Sequence, residues 1–433
     1  MSKTLIRGGT VLTMGRANYS EADVLIDGDT IAEVGVGIRS RGADVVDATD
    51  TIVMPGFVDA HRHSWESLFR NVADEADASA DDCGPHYQPD DVYAATLIGL
   101  LGAVEAGITS VVDWCGVAVG PDHVAAALQA HADSGIRSVF AHGAPTWGDV
   151  DWQQGLRATA RAGADPLLTL AAGPREPRRQ DLDSVGADWA LARELGMRIH
   201  AHVGAKSSDS GAVSAMAERN LLDSDVTLVH CSHLDDGDLD ALAASGASVA
   251  LTPSSEMVAG LGAPPMQALI DRKIRPGLGV GDERGAPGDI FAQMRAVISL
   301  QHATLFDRKL AGQAGVPKPL TTREVIRYAT SDGANAAGLG GVTGSLEQGK
   351  QADIVLLRTD RPNIAPVNDP IGAVVWGMDT SNVDWVFVGG RAVMRAGALD
   401  ADVQRARDLA TAAQQRVAAA AGLVAGAVPG GRK

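Results

Sequence analysis

The hydrophobic pattern of the chain changes near residue 90. Before that point, short runs rich in β-branched residues alternate with Gly and Asp turns, which predicts a small antiparallel sheet. After it, apolar strands take turns with amphipathic helices, as in DDVYAATLIGLLGAVEAG followed by ITSVVDW. Repeated β/α units of this kind predict buried parallel strands covered by helices.

Eight apolar strands can be placed in the repeating part of the chain. They lie near residues 57, 109, 137, 167, 198, 226, 247 and 276. An open doubly wound sheet would also accept β/α repeats, but the count of eight and the polar residues at strand carboxyl ends favour a closed barrel. We therefore predict an α/β fold, namely a (β/α)8 TIM-like barrel with a small composite β-sandwich domain built from both chain ends.

The sequence after the barrel returns to strand-like segments, GSLEQGKQADIVLL and VDWVFVGGRAVMRAG, followed by an Ala-rich helical tail. We expect both chain ends to complete one small β domain. The predicted boundaries are 1–55 for its N-terminal part, 56–343 for the metal-dependent barrel, 344–400 for its C-terminal part and 401–433 for the helical tail.

Composition narrows the class of partner. With 433 residues, of which 45% are hydrophobic and 21% charged, the chain can bury a large core. Its formal net charge of −17 would repel phosphate backbones, so we expect a small-molecule substrate and no nucleic acid. The sequence leaves the oligomeric state open, a homo-oligomer included.

Cysteine usage and the chain start favour a cytoplasmic protein. Cys83, Cys115 and Cys231 are odd in number and form no CxxC, which is typical of reduced thiols. The first residues contain no apolar signal segment, and no run approaches eighteen apolar residues. We expect no association with a membrane.

Two histidine pairs predict a metal site. In PGFVDAHRHSW, His61 and His63 are two residues apart at a strand end, so both imidazoles point to the same side. The alternative for such a pair is two hydrogen-bonded histidines. His202 has the same spacing from His200, which lies deeper and is predicted to be a hydrogen-bonded core histidine. His230 ends the next strand.

This arrangement of histidines at the ends of the first, fifth and sixth barrel strands, with Asp282 at the eighth, resembles the amidohydrolase superfamily. The motif PGFVDAHRH, followed much later by GSLEQGKQADIVLL, is similar to its metal-dependent hydrolase branch over nearly the whole chain. The segments RHSW, HYQPDDVY, PGDIFAQMR and APVNDPIGAVVWG further resemble a cytosine deaminase-like and chlorohydrolase-like subgroup.

The resemblance implies that His61, His63 and His202 bind one divalent transition metal ion. Zinc is expected first, with iron or manganese as alternatives; imidazole suits several of these metals, so the sequence does not choose among them. The fourth-strand segment LLTLAAG has no lysine to bridge a second metal. The resemblance makes His230 a residue that orients the attacking water or the substrate oxygen, or a direct ligand.

Two positions depart from the family pattern. Deaminases of the family carry a glutamate three residues after the fifth-strand histidine, where this chain has Ala205. The expected metal-binding aspartate is replaced by Gly281, and Asp282 follows one residue late. On a regular strand that slip turns the side chain away, but a glycine bulge can re-aim it. We expect Asp282 to reach the metal or its water; a solvated loop or a helix cap is the alternative.

Five further residues are candidates for binding the substrate. They are Arg62, Trp65, His86, Tyr87 and Arg175. Trp65 could equally be plain packing, the loop with His86 and Tyr87 could be solvated, and Arg175 could be a surface arginine, although it could also hold an anionic group.

Three functions remain open at this point. The first is a metal-dependent amidohydrolase acting on a carbonyl-type centre, a non-peptide C–N bond or an ester, of a small aromatic substrate. The second is cyclodehydration of an acylated ortho-aminophenol to a benzoxazole, as in a natural-product pathway. The third is a catalytically inactive binding barrel.

Overall fold

The computed structural model describes residues 3–15, 17–72, 80–148, 150–163, 165–205 and 210–423. The first part of the chain forms five strands, which end just before the HxH motif. These strands are β1 (Lys3–Leu12), β2 (Asn18–Asp27), β3 (Thr30–Gly35), β4 (Asp44–Asp47) and β5 (Thr51–Pro55).

Eight parallel strands follow and pair in sequence order. They are β6 (Phe57–Arg62), β7 (Ile108–Cys115), β8 (Arg137–Gly143), β9 (Leu168–Gly173), β10 (Arg198–Val203), β11 (Val226–His230), β12 (Ser248–Leu251) and β13 (Gly277–Leu278). Each of the eight predicted strand positions falls in or directly beside one of them. The prediction of a (β/α)8 barrel is confirmed.

The barrel closes between its first and last strands at the HxH motif. Gly281, three residues after β13, donates its N–H to the carbonyl of His61 at 2.9 Å and accepts the N–H of His63 at 2.8 Å. Backbone pairing therefore fixes the two histidines against the segment that carries Asp282.

The last strands return to the sheet of the N-terminal segment. They are β14 (Ile354–Arg358), β15 (Val383–Val388), β16 (Arg391–Arg395) and β17 (Ala398–Leu399). Among the described residues they form one nine-stranded mixed sheet, because β14 pairs antiparallel with β5 and β4 joins at β1. The prediction that both chain ends build this part of the molecule is confirmed. The exact domain boundaries stay predictions.

Helices lie between the barrel strands, after β13 and after β17. They are α1 (Ala80–Cys83), α2 (Pro89–Glu105), α3 (Pro121–Ser134), α4 (Trp152–Thr159), α5 (Leu182–Glu194), α6 (Ala212–Glu218), α7 (Asp236–Ser245), α8 (Pro253–Val258), α9 (Met266–Asp271), α10 (Ile290–Leu310), α11 (Thr322–Tyr328), α12 (Ser331–Ala336), α13 (Pro370–Gly372) and α14 (Val403–Ala420). Of the predicted tail, residues 424–433 lie outside the described part.

The strands of the barrel are buried and pack against the surrounding helices. Every residue of β6, β7 and β8 is buried, as expected for strands covered on both faces. The ring of Phe57 at the start of β6 packs edge-on against Phe291 of α10, with centroids 4.9 Å apart. None of the helices in the described ranges combines the length and the apolar character needed to cross a bilayer.

Candidate active site

The three histidines predicted as metal ligands lie together at the carboxyl ends of two strands. Nε2 of His61 is 3.0 Å from Nε2 of His63 and 3.0 Å from Nε2 of His202. The ligand atoms of all three lie within 4.8 Å of one another. Nitrogens placed tetrahedrally around a zinc ion at 2.0–2.1 Å would be about 3.3 Å apart, so this spacing fits one ion.

The protonation of these imidazoles also suits metal binding. Burial lowers the pKa of His61 and His202 well below 6.5, and neighbouring histidine rings lower it further. Burial lowers the pKa of His63 to about 4, although the charges of Asp282 and Asp113 oppose the shift. The neutral imidazole is the form that binds a divalent metal.

A buried glutamate lies on the far side of His63. Oε1 of Glu66 is 3.5 Å from Nδ1 of His63, and its Oε2 is 2.8 Å from Nε of Arg284. Burial raises the pKa of Glu66 to about 8, against the opposing charge of Arg284. Among the described residues Nδ1 of His63 makes no hydrogen bond, so Glu66 is a buried acid beside this imidazole without a hydrogen bond to it. Our sequence analysis missed Glu66, although its i,i+3 spacing from His63 within a helical turn could have indicated it.

His230 adjoins the three histidines but is not part of their group. Its ring stacks on that of His202 with centroids 5.3 Å apart. Its Nδ1 lies 3.1 Å from Oε1 of Glu256, which also accepts the N–H of Thr252. The backbone of His230 has φ +74°, and Cys231 follows with φ +59°. Such left-handed conformations are costly for non-glycine residues and concentrate at functional sites.

Asp282 is near the three histidines but its carboxylate has other partners. Oδ2 accepts a hydrogen bond from Oγ of Ser255 at 2.7 Å, and Oδ1 accepts the N–H of Arg284 at 3.0 Å. Burial raises the pKa of Asp282, but the Ser255 bond and the charges of Arg284 and His63 outweigh it and hold the pKa below 3.8. Among the described residues, the ligand group of three does not include Asp282.

Gly281 has a conformation that explains the shifted acid. Its φ is +77°, which side chains rarely adopt. A Cβ atom at this position would lie 2.9 Å from Cβ of Ser255 and 3.1 Å from Cβ of Thr252. The backbone therefore turns sharply here, as expected from its glycines, and has no space for an acidic side chain at 281.

A cavity of about 1010 Å³ opens beside the histidines, over the carboxyl ends of β8 and β9. His202 and His230 are among its lining residues. The other walls combine apolar and charged side chains, which include Trp114, Ala144, Pro145, Trp152, Pro174, Arg175, Glu176, Asp188 and Ala205. A cavity of this size accepts a small molecule.

Two residues singled out from the sequence line this cavity. Arg175, predicted to hold an anionic group, is exposed there, and its charge opposes the rise in pKa that burial gives Asp188. Ala205 stands at the position of the family glutamate and contributes only a methyl group.

The sequence analysis missed Trp114, which also lines the cavity and whose ring centroid lies 4.9 Å from that of His202.

Arg62 does not face the cavity, so we correct the expectation that it forms a substrate wall. Its side chain is completely buried. Nε donates to Asp59 at 2.7 Å, Nη2 donates to the carbonyl of Gly288 at 2.7 Å, and Nη1 is 3.3 Å from Glu283. A buried guanidinium with these partners stabilises the segment after β13.

Trp65 and Tyr87 pack against each other, which supports the packing alternative for Trp65 and not the solvated-loop alternative for Tyr87; their substrate roles stay predictions. Trp65 is 3% exposed, the ring centroids are 5.5 Å apart, and the Tyr87 hydroxyl donates to the carbonyl of Trp65 at 2.9 Å. His86 is half-buried in the turn Gly84–His86. Its substrate role stays a prediction.

The expectation for His200 is corrected in part. It is a buried core histidine, as predicted, and burial lowers its pKa to about 3. However, neither ring nitrogen has a hydrogen-bond partner among the described residues. It lies one layer below His202 because residues two apart on a strand face the same side.

Known proteins resemble this chain over nearly its whole length. The family model described as "Amidohydrolase family" matches residues 52–393. A 5'-deoxyadenosine deaminase of Methanothermobacter thermautotrophicus is 30% identical, over 92% of this chain and 94% of the relative. A 5-methylthioadenosine/S-adenosylhomocysteine deaminase of Pelotomaculum thermopropionicum is 29% identical, over 91% of this chain and 94% of the relative.

Solved structures share the fold. An adenosine deaminase from Xanthomonas campestris with bound zinc has a TM-score of 0.81 and 22% identity, over 96% of this chain and 99% of that one. A mutant atrazine chlorohydrolase from Arthrobacter aurescens, complexed with zinc and atraton, has a TM-score of 0.83 and 23% identity. That match covers 95% of this chain and all of the chlorohydrolase.

Proposed function

The chain belongs to the amidohydrolase family, and from that premise we propose that it is a metal-dependent hydrolase that cleaves a non-peptide C–N bond or an ester of a small aromatic substrate. One observation carries the proposal. The Nε2 atom of His61 lies 3.0 Å from those of both His63 and His202, and His202 lines a cavity of about 1010 Å³. Imidazoles placed in this way are a donor set for one transition metal with an open position.

The metal would be held by His61, His63 and His202. Zinc is favoured because the two solved structures named above contain it, and iron or manganese are alternatives. When bound, such an ion supplies Lewis acidity, which polarises the reacting centre of the substrate and acidifies water.

His230 is the residue that we propose to move the proton. Because Glu256 lies at Nδ1, the neutral ring carries its proton there and leaves Nε2 to accept one from the attacking water. The protonated ring can then return that proton to the leaving nitrogen or oxygen. Asp282 is the second proton acceptor near the three histidines. The hydrogen bond from Ser255 and the charge of Arg284 lower its pKa and keep its carboxylate ionised.

Arg175 is proposed to bind an anionic group of the substrate at the mouth of the cavity.

The bond that we propose to be cleaved is a C–N bond at a carbon of an aromatic ring, because the named relatives are deaminases. Asp188, Glu176 and Arg175 together make the mouth polar, whereas Trp114 and Trp152 make the inner wall aromatic. This division suits a flat ring with a polar substituent.

Cyclodehydration is the second candidate, and Ala205 is the observation that favours it. Ala205 lines the cavity next to the histidines without contributing an acid, and Gly281 has no space for one. Ring closure needs no water to be delivered to the carbon, because a neighbouring hydroxyl of the substrate is already held near it; the amide oxygen then leaves as water with the protons of that hydroxyl and of the amide N–H. Of these two candidate reactions, hydrolysis is favoured, because the similar proteins named above are deaminases and a chlorohydrolase.

Mass spectrometry of products from metal-loaded enzyme tests the proposal. The panel is 5'-deoxyadenosine, 5'-methylthioadenosine, atrazine and the amide of an ortho-aminophenol with an aromatic acid. Hydrolysis of a C–N bond replaces an amino or alkylamino substituent by hydroxyl, or releases free acid and free aminophenol from the amide. Loss of one water from the amide supports cyclisation instead, and an unchanged mass for every compound of the panel contradicts the hydrolase.

A further inference from the structure

Trp114 lies beside the proposed metal ligands and lines the cavity. It is 7% exposed, and its ring centroid is 5.3 Å from that of His63 and 4.9 Å from that of His202. These separations are within the range of aromatic pairs. A ring joined to a carbon that reacts next to these imidazoles would therefore be within stacking reach of the indole.

Two paired glycines support the indole from below. Gly143 ends β8, Gly173 ends β9, and the two are register partners in the barrel. A Cβ atom at Gly173 would lie 2.3 Å from Nε1 of Trp114, and one at Gly143 would lie 2.8 Å from its Cζ3. The pyrrole part of the indole thus rests on Gly173 and the benzo part on Gly143, and the same side chain lines the cavity.

Packing, rather than a hydrogen bond, holds this indole in place. Nε1 of Trp114 has no hydrogen-bond partner among the described residues. The second indole of the cavity differs, because Nε1 of Trp152 donates to the carbonyl of His142 at 3.0 Å. The orientation of Trp114 therefore depends on the space above Gly143 and Gly173.

We infer that Trp114 determines substrate specificity: its indole, supported by Gly143 and Gly173, is the surface on which a flat aromatic ring of the substrate stacks beside the metal. The inference deepens the proposed function and rests on it, because the reacting carbon must lie at the three histidines. A saturated ring of similar size loses the stacking contact, although it is the more hydrophobic of the two.

The test uses two zinc-chelating probes that differ only in the ring. Benzohydroxamate and cyclohexanecarbohydroxamate are titrated calorimetrically into zinc-loaded protein, after elemental analysis has confirmed the metal content of each variant. The wild type is expected to bind the phenyl probe about threefold to tenfold more tightly. Since no turnover is required, this measurement does not depend on identifying the natural substrate.

Four variants locate the effect. In Trp114→Ala the preference for the phenyl probe should disappear, and in Trp114→Phe most of it should remain. Gly173→Ala leaves Trp114 in the sequence but forces the indole to move, so it should also lose the preference. Gly163→Ala is the matched control, because a Cβ there meets nothing within 4 Å and the preference should be unchanged.

The possible failures are distinguishable. Tight binding of both probes with no preference in the wild type, or an unchanged preference in Trp114→Ala and Gly173→Ala, overturns the role of Trp114 and leaves the hydrolase standing. If neither probe binds to zinc-loaded wild type, the accessible metal site is contradicted, and the inference is overturned together with the proposed function.

Discussion

The hydroxyl of Ser255 donates a hydrogen bond of 2.7 Å to Oδ2 of Asp282, and the same serine occupies the space next to Gly281. One residue therefore excludes an acid at position 281 and binds the acid at 282. The arrangement keeps Asp282 ionised close to His63 while leaving the three-histidine group without it.

We predict that Asp282→Asn retains the metal and loses catalysis. The amide has the size of the acid but is not a base, so kcat should fall by about a hundredfold or more. Metal content should stay at the wild-type value because Asp282 is outside the ligand group. Elemental analysis and steady-state kinetics of the same preparation are the measurements. Unchanged kcat would remove Asp282 from the mechanism, and loss of metal would make it a ligand.

Restoring the family acid at 281 is expected to damage the protein. Gly281→Asp and Gly281→Ala both place a Cβ against Ser255 and Thr252 at φ +77°, so each should lower the free energy of unfolding by about 1 kcal/mol or more. Denaturant titration measures the change. Gly341→Ala, where a Cβ meets nothing within 4 Å, is the control. A Gly281→Asp variant as stable as the wild type would show that this account of the shifted acid is wrong.

Removing the imidazole of His230 should separate proton transfer from metal binding. His230→Ala is expected to lower kcat by about a hundredfold while metal content is retained. Glu256→Gln keeps the size of the side chain that contacts Nδ1 but removes its charge, so we expect a smaller loss in kcat with little change in KM. Loss of metal in His230→Ala would instead assign His230 as a fourth ligand.

The sequence predicted the barrel and the grouping of three histidines because both follow from local periodicity. Strand ends of a barrel meet at one face, so His61, His63 and His202 could be brought together without coordinates. The orientation of single side chains could not be derived in this way. Arg62 lies between two ligand positions in the sequence, yet its side chain pairs with Asp59 and Glu283. Glu283 is more than 200 residues further along the chain, so no local pattern indicates that contact.

Contacts between distant segments also account for the residues that were missed. Glu256 reaches His230 from α8, and no short motif connects them. Trp114 lies over Gly143 and Gly173 from two other strands, and a lone glycine at a strand end does not indicate which ring will occupy the space above it. These positions depend on how neighbouring strands are staggered.

Acid should destabilise the protein partly through His142. This histidine is 2% exposed, contacts Oγ1 of Thr159 through Nδ1 at 3.0 Å, and has its pKa lowered to about 4 by burial. The unfolded chain, with a pKa of 6.5, binds the proton first, so stability present above pH 6.5 is lost as the pH falls toward 4. Between pH 7 and 5, the wild type should lose about 2 kcal/mol more than His142→Gln in urea unfolding. Equal losses in both proteins would contradict this role.

The metal content of purified protein tests the central claim most directly. Wild-type protein incubated with zinc and then desalted should contain about one zinc ion per chain, because three imidazoles converge at one point. The variant with both His61→Ala and His63→Ala retains only one of the three ligands and should contain none, whereas His233→Ala, which alters a histidine outside the group, should match the wild type. Wild-type zinc content in the double variant would contradict the assignment of His61, His63 and His202 as the metal site.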